Sequence, residues 1–507
     1  MDGKTATEPV TSHDRQERFD LVRRRVGLLL GPIAFAAVLL FADGLPGPQR
    51  SLAAIFALVM IWWISEAIPL AVTALLAVSL CVLLGVGDED TVFGAFGNDT
   101  IFVFLGGFVI ARAMTVHGLD RRIALRMLSI PGVVRSPART VIAFGALAAA
   151  ISAFISNTAA VAMLFPIGLG VIAAVSSIST GNAPRQSRTS TALMLVIAYG
   201  ASIGGLFTPI GAPHQLIGRQ LVEDQTGRDI GFVQWVGLFA PIVIAMFVVL
   251  CLVLLLLNRP EVKRLDHAEE YVAAERAKLG AFSRGERNTS IAFALAVVLW
   301  TGPGILQPVL GEDNGFVELV RDHLTEGVAA ILAATLLFVL PLPGKPGKAT
   351  LDWSDAAKID WGTILLFAAG IVLGSLSSET GLAERVGAGF SELIGVSSLT
   401  GVTVLAAITA LLISETTSNT ASVGIVLPIV LPMAQALGVD PLIPGLVATA
   451  AAGYGFMLPV STPPNAIVYG SGLVPITRMV RSGLVFDVLG VAILVTGVLT
   501  LAPVVGL

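Results

Sequence analysis

A chain of 507 residues, 55% hydrophobic and 13% charged, would leave a soluble globule with more apolar surface than its interior could hide, so it belongs in lipid. The net charge of −4, with no long basic or acidic block, argues against nucleic acid or an extended interaction tail. Two cysteines, Cys81 and Cys251, both within apolar stretches, argue against a disulfide framework and a cysteine-rich metal site.

The first residues, 1–25, are polar and end in Arg23-Arg24-Arg25. The apolar segment after them lacks a small-residue cleavage site, so a tail (1–25) and a retained first helix with its loop (26–50) are expected. Crossing a hydrocarbon core of roughly 30 Å takes about 20 apolar residues. Such stretches fall at 26–42, 51–69, 70–86, 100–116, 191–221, 232–257, 289–306, 325–341, 361–378, 443–474 and 484–505. An all-α polytopic membrane protein with about eleven transmembrane helices is predicted.

Two further apolar regions, 140–175 and 398–437, are too long for one crossing. Each is interrupted by a polar cluster, Ser156-Asn157-Thr158 in one and Thr416-Thr417-Ser418-Asn419-Thr420 in the other. Each reads as two crossings or as one re-entrant hairpin. With both re-entrant and the N-terminus cytoplasmic, 25 of the 31 Lys and Arg fall on the cytoplasmic side. A double crossing in one region leaves its flanking loops on one side too, so the residues of the turns must decide. Shorter amphipathic stretches at 118–130, with Arg121, Arg122 and Arg126, and 382–394, with Glu384, Arg385 and Glu392, suit helices lying in the membrane surface. The charged insert 259–288 reads as a cytoplasmic linker without a soluble domain.

The two halves resemble each other at a fixed offset, the sign of an internal repeat. Ser156-Asn157-Thr158-Ala159 recurs 262 residues on as Ser418-Asn419-Thr420-Ala421, and Pro166 and Pro428 follow. Thr208-Pro209-Ile210-Gly211-Ala212-Pro213 is mirrored 250 residues on by Leu458-Pro459-Val460-Ser461-Thr462-Pro463. The first repeat covers 51–258, with hairpin 140–175 and broken helix 191–221; the second covers 289–507, with hairpin 398–437 and broken helix 443–474. One hairpin enters from the cytoplasm and the other from outside, so the repeats are inverted. Inverted repeats place substrate near the midplane, at discontinuous helices from both halves.

A backbone that turns inside the membrane survives only where protein, ions or water satisfy it. Ser-Asn-Thr suits such a place, since Asn offers an oxygen to a cation and an amide to a carboxylate, and the hydroxyls serve either. Freed carbonyls complete the hard oxygen shell of a sodium ion, and half-helix N-termini favour an anion. One such cluster commonly does no more than bridge neighbouring helices. Two copies in equivalent positions, each with a Pro-rich break downstream, favour a site.

Charged residues within spans are few. Glu66, beside Pro69, reads as an interface anchor or helix-end contact, and Arg112 as a snorkelling side chain. Glu415 would repel a dianion, so a structural hydrogen-bonding role or an indirect cation role suits it.

From about residue 50 onward the chain resembles the divalent anion:sodium symporter family of di- and tricarboxylate and sulfate carriers. The resemblance rests on Trp62-Trp63 through Glu66-Ala67-Ile68-Pro69, both Ser-Asn-Thr clusters, and Ser461-Thr462-Pro463-Pro464-Asn465. It implies a homodimer in the inner membrane, each protomer having a scaffold and a mobile part with two re-entrant hairpins. It implies one sodium site at Ser152, Ser156, Asn157 and a carbonyl near Gly211, and another at Ser414, Thr417, Asn419 and a carbonyl near Ser461. A small divalent carboxylate, of the succinate, malate or fumarate type, would touch Asn157, Thr158, Ser418, Asn419 and Thr420, with Ala212, Thr462 and Pro463 lining the cavity.

At 212–215 the chain departs from the family, with Ala-Pro-His-Gln in place of Ser/Thr-Pro-Pro-Asn. His214 there either packs behind the unwound turn or adds a titratable group. A channel would need a continuous polar lining, and an enzyme a nucleophile with its base or a set of metal ligands; neither pattern is present. A proton-coupled or obligate-exchange carrier of citrate or sulfate is the competing expectation.

Overall fold

The computed structural model describes residues 12–180, 186–262, 264, 265, 267–311, 314–342, 347–382, 385 and 398–507. The predicted surface stretch at 382–394 lies almost wholly outside them. The helices in chain order are α1 (Ser12–Phe41), α2 (Gly47–Ser65), α3 (Leu70–Leu83), α4 (Glu89–Gly94), α5 (Asp99–His117), α6 (Leu119–Leu128), α7 (Pro137–Ser152), α8 (Asn157–Thr180), α9 (Arg188–Gly204), α10 (Pro213–Thr226) and α11 (Phe232–Leu257). The second half adds α12 (Ala268–Ala277), α13 (Arg284–Leu310), α14 (Gly315–His323), α15 (Glu326–Val339), α16 (Trp353–Ala356), α17 (Trp361–Glu379), α18 (Leu399–Thr416), α19 (Asn419–Ala436), α20 (Leu442–Ala451), α21 (Pro463–Gly470) and α22 (Ile476–Leu501).

Ten helices among the described residues are long and apolar enough to cross a membrane. Seven of the expected spans keep their places with small shifts of boundary and three hairpin arms complete the ten, while 70–86 and 325–341 shorten to α3 and α15, of 14 residues each. The stretch at 118–130 is the helix α6, as its pattern predicts. The insert 259–288 is more than a tether: α12 within it packs against α6 and α8.

Both long polar-interrupted regions are helix pairs with tight turns, α7 with α8 and α18 with α19. The expected spans 191–221 and 443–474 are both broken. Helix runs to Gly204 and resumes at Pro213 in one, and runs to Ala451 and resumes at Pro463 in the other. Pro at the resumption point lacks the N–H that a first turn could not use, so it restarts a helix without loss. At 1.5 Å per residue, α9 extends about 25 Å to its break and α10 about 21 Å beyond it. The break therefore lies part-way along the span, and the first hairpin's tip meets it there.

Small residues set how closely these helices approach, as expected where lipid tails are as apolar as the helices themselves. A Cβ on Gly200 would stand 2.8 Å from Gly145 O, and one on Gly204 would run into the Ala149 backbone, so α7 lies directly on α9. The half-helices behind the breaks are exchanged between repeats. α10 packs on α19 and α20 of the second repeat, and α21 on α8 and α9 of the first.

Three large buried apolar clusters result among the described residues, beside a small one of Val402, Met433 and Ala434 within the second hairpin. The largest joins both hairpins, both broken helices, α11 and α22, with one edge on α5 and α17. A second lies among α2, α3 and α17 with Ala421 and Ile425 at its margin, and a third, rich in alanine, among α5, α13 and α15.

Candidate substrate and sodium site

The first hairpin turns through Ala153-Phe154-Ile155-Ser156, and Asn157 begins α8. Ser156 Oγ accepts from Ala159 N at 3.3 Å, which caps the new helix. Ser152 Oγ donates to Asn157 Oδ1 at 2.6 Å, closing the turn from below. Thr208 Oγ1 donates to Ala153 O and fastens the broken segment to the turn. Gly211 sits so close that a Cβ there would lie 2.7 Å from Gly205 O and 3.0 Å from Ala153 O. A Cβ on Gly205 would lie 2.5 Å from Asn157 Oδ1 and 3.1 Å from Ala212. Ser152, Ser156, Asn157 and Gly211, the residues of the first expected cation shell, are thus drawn together with two backbone carbonyls.

The second hairpin repeats the construction. Ser418 Oγ accepts from Ala421 N at 3.2 Å, and Ser414 Oγ donates to Asn419 Oδ1 at 3.1 Å. Ser414 also reaches Ala452 O at 2.7 Å, and Ser461 Oγ donates to Glu415 O at 3.0 Å. A Cβ on Gly455 would touch Ser461 Cβ at 2.7 Å and Ser414 O at 3.2 Å. Thr417 Oγ1 shares a hydrogen bond of 2.9 Å with Ser422, whose hydroxyl also bonds Ser418 O. Ser414, Asn419 and Ser461 therefore converge as the first set does, while the Thr417 hydroxyl is turned to Ser422 and Ile413 O.

Burial separates two kinds of site residue. Ser152, Gly211, Ser414, Thr417 and Ser461 of the expected cation shells are buried, and so are Ala212 and Thr462 of the expected substrate lining. Asn157, Ser418, Asn419 and Thr420 are half-buried, and Ser156, Thr158 and Pro463 are exposed. A cavity of about 20 Å³, room for one ion or one water, lies between the first tip and α5, lined by Ser156, Gly211, Pro213, Phe104 and Phe108 among others. Among the described residues no group of three or more His, Cys, Asp or Glu could hold a metal ion, and the side chains and backbone of the two expected shells offer a cation hydroxyl, amide and carbonyl oxygens, with the Glu415 carboxylate beside Ser461.

The sequence model described as the sodium:sulfate symporter transmembrane region matches residues 24–507. The chain belongs to that family. The symporter is 34% identical over 498 residues to the sodium-dependent dicarboxylate transporter SdcS of Staphylococcus saprophyticus, which covers 97% of this chain and 94% of that protein. It is 34% identical over 486 residues to SdcS of Staphylococcus aureus, 95% of this chain and 91% of that one. In fold it is similar to the solved structure of Neisseria gonorrhoeae MtrF, with a TM-score of 0.55 at 13% identity over 92% of this chain and 96% of that chain. The Alcanivorax borkumensis YdaH transporter gives 0.50 at 14% identity over 90% and 98%.

Several further polar residues of the symporter's spans have structural partners. Glu66, in a left-handed conformation at the end of α2, takes Arg23 at 3.1 Å and Arg24 at 3.6 Å, the helix-end contact its position suggests. Arg112 does not simply snorkel but meets Asp355 at 3.3 Å. Glu415 accepts from Met457 N at 2.9 Å, Leu458 N at 3.2 Å and Ser461 Oγ at 2.6 Å, so it holds the second break open. His214 is buried, 2.8 Å from Gln215 Nε2 and packed so tightly on Gly453 that a Cβ there would fall 2.6 Å from its Nε2. Asn465 Nδ2 donates to Gly455 O at 2.7 Å and Leu458 O at 3.0 Å, whereas Nε2 of Gln215, its counterpart in the first repeat, turns to His214; the side-chain oxygens of both lack a partner. Tyr199 and Trp235 also secure break carbonyls, on Phe456 and Leu206. No motif flags these two, because their partners lie far away in the chain.

Proposed function

We propose that this protein is a sodium-coupled symporter of C4-dicarboxylates of the succinate, malate and fumarate type. The observation that carries the reading is the matched pair of turns, in which Ser152 and Ser414 each hold the Asn five residues on, beside a broken helix. Named relatives support the choice of ions and substrate, since SdcS is a sodium-dependent dicarboxylate transporter.

In this reading Ser152, Ser156, Asn157 and the Gly211 carbonyl bind one sodium ion, and Ser414, Thr417, Asn419 and the Ser461 carbonyl bind a second. Asn157, Thr158, Ser418, Asn419 and Thr420 present amide and hydroxyl donors to the two carboxylates, and Ala212, Thr462 and Pro463 shape the space between. A dianion with at least two sodium ions crosses without uncompensated negative charge. Sodium organises the turns first, so substrate meets a formed site. The hairpins, broken helices, α11 and α22 share one apolar core and move together, while α1 to α5, α13, α15 and α17 form the scaffold of a homodimer. The positive-inside distribution supports a multi-pass inner-membrane protein with a cytoplasmic N-terminus and the linker 259–288 on the same side.

Uptake of labelled succinate into proteoliposomes, with and without an inward sodium gradient, tests substrate and coupling together. Sodium-driven uptake that Asn157→Ala and Asn419→Ala each abolish is expected. Uptake driven equally by a proton gradient alone, or full activity in either correctly inserted variant, overturns the reading.

A further inference from the structure

Asp487 stands near the middle of α22 and is 1% exposed. One turn to either side, on the same helix face, are glycines. Gly483 lies against the Phe456 and Met457 backbone, and a Cβ on Gly490 would sit 3.3 Å from the Tyr454 ring. With no side chains to hold it off, α22 closes directly on the back of the second break and brings Asp487 up to Glu415.

Neither Asp487 oxygen meets a hydrogen-bond donor among the described residues, and the polar group within hydrogen-bonding range of it is the Glu415 carboxyl. The donors that could have served it are committed elsewhere: Tyr199 bonds Phe456 O, and Tyr454 bonds Met246 Sδ at 2.7 Å. The titratable groups facing it are Glu415 from α18, Tyr199 from α9 and Tyr454 from the break, and no cation is among them. Glu415 accepts from two backbone N–H groups and the Ser461 hydroxyl, which leaves it lone-pair capacity for a cation. Two acids thus meet at membrane depth with no counter-charge, a costly arrangement that a membrane protein keeps for ion traffic.

We propose that Asp487 and Glu415 form a further sodium site behind the second break. The reading rests on the sodium coupling proposed above and extends it to residues outside both hairpin tips. Carboxylate oxygens are hard ligands suited to a small monovalent cation. Glu415 reaches the second tip site through Ser461, so a cation held between the two acids sets the orientation of Glu415. It thereby steadies the Met457, Leu458 and Ser461 segment that closes that site.

The test uses the purified full-length protein, with melting temperature followed against sodium chloride at constant ionic strength in choline chloride, for the wild type, Asp487→Asn and Asp487→Glu. The dependence on sodium concentration should fall by one bound ion in Asp487→Asn and persist in Asp487→Glu. The Hill coefficient for sodium in succinate uptake should fall in parallel. Should Asp487→Asn not be recovered folded, Asp487→Thr removes the charge with less bulk and carries the same expectation. An unchanged sodium dependence in the charge-removing variant, accompanied by loss of a pH dependence that the wild type shows, would mean that a proton occupies the place and overturns the sodium site. Sodium that stabilises no form, wild type included, would instead overturn the coupling reading on which the site rests.

Discussion

Arg219 of α10 grips both carboxylate oxygens of Glu326 of α15, at 2.7 and 3.3 Å, across the seam between the hairpin-bearing core and the alanine-rich cluster. Arg219 also bonds Glu223 at 2.8 Å, and Glu326 accepts from Phe232 N at 3.0 Å, so each charge is compensated twice. Two more bonds fasten the same half-helix to neighbouring helices, Thr100 to Gln220 at 2.6 Å and Ser378 to Gln225 at 3.0 Å. If α10 travels with the hairpins, this set must release.

Glu326→Gln should therefore shift the balance of states away from the one described. A coupling of about 1–3 kcal/mol, or about 5- to 150-fold, is expected for such a switch. A cysteine placed at Gln225 reports it through its rate of reaction with a membrane-impermeant maleimide, against a low background because Cys81 and Cys251 are buried. Equal labelling with and without Glu326 would mean that the bridge does not restrain the movement.

Ser152→Ala and Ser414→Ala should weaken sodium dependence to a similar degree, since each removes the same bond to an Asn oxygen, 2.6 Å in one repeat and 3.1 Å in the other. About 1.4 kcal/mol each, or about tenfold in the sodium concentration for half-maximal uptake, is the scale of one such bond near a charge. An effect confined to one repeat would break the equivalence of the two tips.

Gly204→Ala should destabilise the protein by about 1–3 kcal/mol, because its methyl group would run into the Ala149 backbone where α7 crosses α9. Gly302→Ala is the control: nothing lies within 4 Å of a Cβ there, and a helical Gly replaced by Ala gains up to about 1 kcal/mol. Thermal unfolding in detergent separates the two, and equal melting temperatures would contradict the close crossing.

Arg122→Ala should loosen α6 from the linker. Arg122 pairs with Glu286 and donates to the carbonyls of Leu279 at 3.0 Å, Gly280 at 3.1 Å and Ala281 at 3.1 Å. Removing one partner of a buried, hydrogen-bonded pair costs about 3–5 kcal/mol. Burial works against ionisation of Glu286, yet Arg122 and Ser283 outweigh it and hold the carboxyl below its ordinary value. A lowered value means that the pair's stabilisation is complete above about pH 4.3, the unfolded-chain value, and is lost as pH falls through the folded one. The melting temperature of Arg122→Ala should be lower near neutrality and fall less steeply on acidification; parallel curves would show that Glu286 does not depend on Arg122.

Much of this architecture is legible in the sequence because it is local. Hydropathy marks each long apolar helix wherever the chain goes, and Pro213 and Pro463 mark where helices restart. The two Ser-Asn-Thr clusters, 262 residues apart, announce paired turns because a hydroxyl and an amide are what a turn in lipid needs. Amphipathic spacing likewise identifies α6. The helix α12 inside the linker escaped such reading, since charged residues dominate the insert and its apolar positions find their partners only on α6 and α8.

The sequence alone thus determined the membrane class, the family, the inverted repeat and the residues at both tips. Only the tertiary structure decided which groups meet across the chain. It exchanged α10 and α21 between the repeats, set Tyr199 on Phe456, joined Arg219 to Glu326 and carried Asp487 to the back of Glu415. Periodicity shows the face on which a side chain sits but not the helix that will cover it. That choice depends on how closely particular pairs of helices can pack, which at Gly200, Gly204, Gly483 and Gly490 turns on the absence of a single carbon.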